Sequence, residues 1–135
     1  MCIFATDGAN RHVRAFNPDP RHDASNFAIL GEKVKITEGG DSDSGTSVAT
    51  ALAAGLAGRL IDFSRHKDSR ESIENVALIG KKAGMTAIFN KMSKGRSEGY
   101  DCIVPWNILE DTASSRAEQR AQVRSAISSA LRMAT

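Results

Sequence analysis

Apolar positions along these 135 residues fall into short runs near the N-terminus, one long run of small residues, and amphipathic stripes toward the C-terminus. Residues 2–6 are a short apolar run of the kind a buried strand needs, closed by the turn pair Asp7-Gly8. Residues 9–25 read as loop, stiffest at Asn17-Pro18-Asp19-Pro20. A second strand is predicted over 27–30 and is broken by Gly31; Val34 and Ile36 then alternate with Lys33 and Lys35 as an edge or half-exposed strand. Residues 38–45 form a polar, Gly-rich loop. The longest element is a helix over 46–65. Its first half is small and apolar on every side, which predicts burial all round. Gly55 and Gly58 are costly in an exposed helix, so they predict close approach of neighbouring elements. Its second half is amphipathic, with Leu56, Leu60 and Phe63 inward and Arg59, Asp62 and Arg65 outward.

Farther along, residues 66–71 read as a charged loop, and 73–79 fit a short helix or an extended piece equally well. Residues 83–92 predict a helix with Ile88, Phe89 and Met92 inward, stopped at Gly95 after Lys91 and Lys94. Gly99 starts a turn into an apolar closing segment, 100–109, that contains Trp106. Ser115-x-x-Glu118 is a capping box for a final helix whose apolar stripe is Val123, Ile127, Ala130 and Leu131. There is no internal repeat.

Composition narrows the classes. Hydrophobic residues at 41% and charged residues at 25% fit a globular chain able to form one small domain. A net charge of +2 is too weak to imply nucleic acid. Arg116, Arg120, Arg124 and Arg132 make a basic face on the last helix, but no aromatics interleave to stack bases, and a solvated helix face is the plainer reading. Cys2 and Cys102 form no C-x-x-C pair, so zinc is not expected, and free thiols in a reducing compartment are expected over a disulfide. No run is long enough to span a membrane and no signal peptide is recognisable, so an intracellular setting is the default expectation. No H-E-x-x-H and no phosphate-cradling loop occurs, and Asp41 with Asp43 are too few for calcium; neither a metal nor a cofactor is expected.

The candidate chemistry centres on Ser47, which follows Gly45-Thr46 and opens the small-residue run. A serine in the first turn of a helix sits beside unpaired N–H groups and the positive end of the dipole, a setting that stabilises negative charge in acyl transfer. The plainer alternative is that Thr46 or Ser47 caps the helix. A serine nucleophile needs a base. His66 ends up roughly 28 Å away along a helix of about nineteen residues and cannot serve. His12 and His22 approach only if their loop folds over the helix start. Asp43, four residues before Ser47, and Asp7 before Gly8 both read as turn residues.

Gly45-Thr46-Ser47-x-Ala49-Thr50, with Ala54-Gly55 one turn on, resembles the serine motif of subtilisin-like peptidases. The flanks agree: Ile3-Phe4-Ala5 through Asn17-Pro18, then Phe27-Ala28-Ile29-Leu30-Gly31, are similar to the strands and loop before the serine in that family. Gly99-Tyr100-Asp101 and Val104-Pro105-Trp106 resemble the end of subtilase domains in multidomain fungal proteins. The resemblance implies that Ser47 is the nucleophile, that its own N–H joins the oxyanion hole, and that the substrate is a protein or peptide. It implies an α/β fold: a partial subtilisin-like parallel sheet, a central buried helix starting at the serine, and C-terminal helices. Residues 1–109 are then the C-terminal portion of the peptidase domain and 110–135 a helical tail.

Two departures shape the expectation. The family's proline after the Ala-Thr pair is Ala51 here, and the aspartate, histidine and oxyanion-asparagine motifs, which come earlier in the family, are not found. The chain therefore reads as a fragment, inactive in isolation, with a sheet edge left unpaired and prone to self-association. The alternative is a non-catalytic remnant acting as a binding module, in which the same residues only cap and pack. A third, weaker reading is a nucleic-acid binder built on the basic last helix.

Overall fold

A computed structural model describes residues 1–11, 13–109 and 115–135. His12 and the predicted start of the tail at residue 110 lie outside the described residues. The fold is mixed α/β, and the chain divides into two compact units, Met1–Leu56 with Lys94–Ile103 and Ala57–Ser93 with Val104–Thr135.

The first unit is built on a sheet in the order β1 (Cys2–Thr6), β2 (Asn26–Leu30), β6 (Tyr100–Ile103), β5 (Ser93–Ser97). β1 and β2 run parallel from Cys2↔Asn26 to Thr6↔Leu30, and β2 and β6 run parallel through Phe27↔Asp101 and Ala28↔Cys102. β5 joins β6 through Glu98 and Gly99, both at positive φ (51° and 90°), so this pair is a tight hairpin and the sheet is mixed where a parallel one was expected. Phe27 and Ala28 are fully buried, as a central strand covered on both faces requires. Phe4, Ala28, Tyr100 and Cys102 form one core cluster with Cys2 against it; the Phe4 and Tyr100 rings meet edge to face at 4.7 Å. Both thiols are free, and that of Cys102 donates to the Asn10 carbonyl at 3.4 Å.

Side-chain amides order the long loop before β2. Asn26 accepts from the Arg21 N–H at 3.0 Å and donates to the Arg21 and Ala24 carbonyls. The loop predicted over 38–45 contains a strand, β4 (Ser42–Asp43), paired antiparallel with β3 (Val34–Lys35). The backbone pairing is local and leaves no hydrophobic signature, which is why the pattern missed it.

Helix α1 (Thr46–Arg65) matches the predicted span. Its burial does not. In the small-residue half only Ala49 and Ala53 are buried, while Thr50, Ala51, Leu52, Ala54, Gly55 and Gly58 are exposed. A Cβ on Gly55 or Gly58 would meet open space, so neither glycine serves close packing. Low side-chain volume permits burial, but burial also needs a neighbour on each face. The close approach occurs instead at Gly31, where a Cβ would sit 2.7 Å from the Ala5 Cβ and 2.9 Å from both the Ala49 Cβ and the Gly45 carbonyl oxygen.

The second unit is helical. Residues predicted as a charged loop form α2 (Lys67–Ser72), with Ser69 buried, and the ambiguous stretch after it becomes an extended Ile73 followed by a 3-10 turn, Val76–Leu78. Helix α3 (Lys82–Met92) buries Ile88, Phe89 and Met92 as predicted. It ends at Met92 and passes directly into β5, so Gly95 (φ 101°) lies inside a strand and is not the helix stop. Helix α4 (Arg116–Arg132) carries the predicted capping box: Ser115 Oγ accepts from the Glu118 N–H at 3.2 Å and Glu118 Oε2 accepts from the Ser115 N–H at 3.1 Å. Its stripe Ile127, Ala130 and Leu131 is buried against α3, and Gly84 is where the two meet. A Cβ there would strike the Leu78 carbonyl and come within 3.1 Å of Leu131 Cδ2. No helix among the described residues is long and apolar enough to cross a membrane.

Candidate functional site

Ser47 is the second residue of α1, and its side chain is exposed. Gly45, at φ 139°, turns the chain into the helix in a conformation closed to most L residues. It is anchored by the residue that follows β2: its N–H donates to the Gly31 carbonyl at 2.7 Å, and its own carbonyl accepts from the Ala49 N–H at 3.2 Å, the first bond of the helical ladder. The N–H groups of Thr46, Ser47 and Val48 therefore precede the ladder and point out of the helix start. With the helix beginning at Thr46, the cap position belongs to Gly45, so neither Thr46 nor Ser47 takes the capping role weighed from sequence. The approach loop is pinned as well, since Ser44 Oγ accepts from the Lys33 N–H at 2.8 Å.

Beside Ser47 lies an open groove of about 490 Å3 with mostly apolar walls from Val34, Ile36, Val48, Ala51 and Leu52. Ile36 is 66% exposed on its rim. The sequence offered no direct sign of this groove. Its one trace is the apolar Val34 and Ile36 standing between lysines without an assigned partner face.

None of the other candidate residues that the structure describes is gathered at Ser47. His22 is exposed in the loop before β2, and His66 follows the last residue of α1. Among the described residues no histidine and no carboxylate hydrogen-bonds the Ser47 hydroxyl. Asp43 is exposed within β4 and belongs to that ribbon. Asp7 organises its own turn: it accepts from the Ala9 N–H, the Arg11 N–H and the Arg11 Nε, each at 2.9 Å. Those bonds, first the one from the Arg11 backbone, hold its carboxyl below the usual range. Burial, reinforced by Asp101, pushes the Cys102 thiol up, which keeps it protonated and unreactive. Among the described residues no three His, Cys, Asp or Glu side chains converge as a metal site requires.

The basic face of α4 is largely engaged within the second unit. Arg120 donates to both oxygens of Asp68, at 3.1 and 2.9 Å, and lies over the Phe63 ring at 5.0 Å. Arg124 donates to the same carboxylate at 2.9 Å, and Arg132 to Glu74 at 3.1 Å. No family model, no curated protein and no solved structure matches the chain.

Proposed function

We propose that this chain is the C-terminal portion of a subtilisin-like serine endopeptidase domain, with Ser47 as nucleophile. Its base, the orienting carboxylate and the oxyanion asparagine come from outside these 135 residues. The observation that carries the reading is the setting of Ser47: an exposed hydroxyl in the first turn of a 20-residue helix, beside N–H groups that precede the ladder. There Ser47 Oγ attacks a peptide carbonyl while the base takes its proton, and the developing oxyanion meets the helix-start N–H groups. The base then protonates the leaving amine, and water releases the acyl group. Coarser support comes from the parallel pairing of β1, β2 and β6 and from a helix that begins at the serine motif.

In isolation the chain is expected to be inactive, because a correctly held base supplies much of the rate. A second reading, a non-catalytic binding module, is favoured by Ala51 in place of the family's proline and by the Ser47 hydroxyl having no base among the described residues. The test is the natural product that carries this sequence: its intact mass, its labelling by a fluorophosphonate, and its peptide hydrolysis, each compared with Ser47→Ala. Ser47-dependent labelling and turnover in a longer product, with neither in the 135-residue chain, is the expected result. A natural product that neither labels nor cleaves would sink the peptidase reading and leave the binding module.

A further inference from the structure

β1 is an outer strand, so one side of it faces away from the sheet. Cys2 and Thr6 bond toward β2: the Cys2 N–H donates to the Ser25 carbonyl at 2.8 Å, and the Thr6 carbonyl accepts from the Gly31 N–H at 3.0 Å. Alternation then turns the N–H and C=O of Ile3 and Ala5 outward. At Ala5 a single side chain takes both. Asn17 Oδ1 accepts from the Ala5 N–H at 2.8 Å, and Asn17 Nδ2 donates to the Ala5 carbonyl at 2.8 Å. A primary amide carries its acceptor and donor side by side, so here it reproduces the pair that a neighbouring strand would present. The Val13 N–H adds a bond to the same carbonyl at 3.2 Å, and the Asp7 N–H donates to the Arg11 carbonyl at 2.8 Å. Asn17 is itself held where its segment is stiff: the next residue is Pro18, whose carbonyl accepts from the Tyr100 hydroxyl at 2.6 Å.

The strand guarded at Ala5 lies in the segment Met1-Cys2-Ile3-Phe4-Ala5-Thr6. It contains no charged side chain, no proline and no glycine, the composition that pairs with an identical copy of itself. The opposite edge, β5, is Ser93-Lys94-Gly95-Arg96-Ser97, and its lysine, arginine and glycine discourage pairing without help. We propose that Asn17 is an edge guard: its amide stands in for a strand on β1 and holds off pairing with β1 of a second copy of this chain. Self-association through this edge is thus conditional on release of one side chain, and the inference is independent of the chemistry at Ser47.

Sedimentation velocity over a concentration series tests it, with circular dichroism checking the fold of each variant. The wild-type chain is expected to stay monomeric. Asn17→Ala loses both amide bonds and should associate at concentrations at least tenfold lower. Adding Ile3→Pro to Asn17→Ala removes an outward N–H and should restore the monomer. A folded Asn17→Ala that stays monomeric, or whose association survives Ile3→Pro, overturns the proposal, as does a wild-type chain that associates equally well. Should Asn17→Ala fail to fold, amide exchange on the wild-type chain decides: the Ala5 amide must exchange at least tenfold more slowly than that of Ile3, and equal rates overturn the guard.

Discussion

The first half of α1 and the whole of α4 make opposite use of their side chains. Residues 48–58 of α1 carry no charge, yet Ala51, Leu52, Ala54, Gly55 and Gly58 are exposed. Helix α4 carries four arginines, yet Ile127, Ala130 and Leu131 are almost completely buried. The difference lies in the neighbours. α4 has α3 to pack against, Gly84 leaves room for the Leu131 side chain and the Leu78 backbone, and three of its arginines find Asp68, Glu74 and the Phe63 ring. The small face of α1 has no comparable partner among the described residues of the first unit, so its lack of charge brings no burial. Apolar character is a capacity for burial, and only an apposed surface realises it.

The sharpest way to break this contrast is to truncate one leucine on each helix. Leu131→Ala should cost about 2–5 kcal/mol, because a fully buried side chain leaves a cavity. Leu52→Ala should cost under about 1 kcal/mol, since that side chain is 38% exposed. Urea denaturation of both variants measures the gap, and equal losses would mean that α1 is packed after all.

A pair of glycines gives a smaller effect of opposite sign. Gly84→Ala should destabilise, because its Cβ strikes the Leu78 carbonyl. Gly55→Ala has open space and should stabilise by about 0.5–1 kcal/mol through helix propensity. A destabilising Gly55→Ala in thermal melts would reveal a neighbour on that face.

The smallest effect is electrostatic. The side-chain hydrogen bond from Arg120 holds the Asp68 carboxyl below its ordinary value, with Arg124 adding to it. A carboxylate whose folded value is depressed contributes stability above its unfolded value and loses it as pH falls through the depressed one. The stability advantage over Asp68→Asn should therefore be present at neutral pH, shrink in acid below the usual carboxylate range, and weaken with added salt, because the pair is exposed. A gap that stays constant into strong acid would remove Asp68 as its source.

Much of the local structure was legible. The α3 and α4 stripes, the capping box at Ser115 and the span of α1 all follow from periodicity and cap chemistry, because those signals lie within a few residues of one another. The strand β4 and its pairing with β3, the conversion of residues 67–72 to helix and the run of α3 straight into β5 were not legible. They rest on backbone bonds that any side chain permits. The Asn17 clamp on Ala5 is long-range in the same sense, since no spacing rule links an amide to a strand twelve residues before it.

Around Ser47 the division is plain. The residues themselves determined that a serine would stand in the first turn of a helix, since Gly45 can turn the chain there and small residues carry the helix on. Tertiary structure alone decided that Gly31 would be the point of close approach, that the small face of α1 would stay exposed, and that one edge of the sheet would be held by a side chain. Each of those depends on which surfaces meet, and meeting is a property of the folded chain, to which residues distant in sequence contribute together.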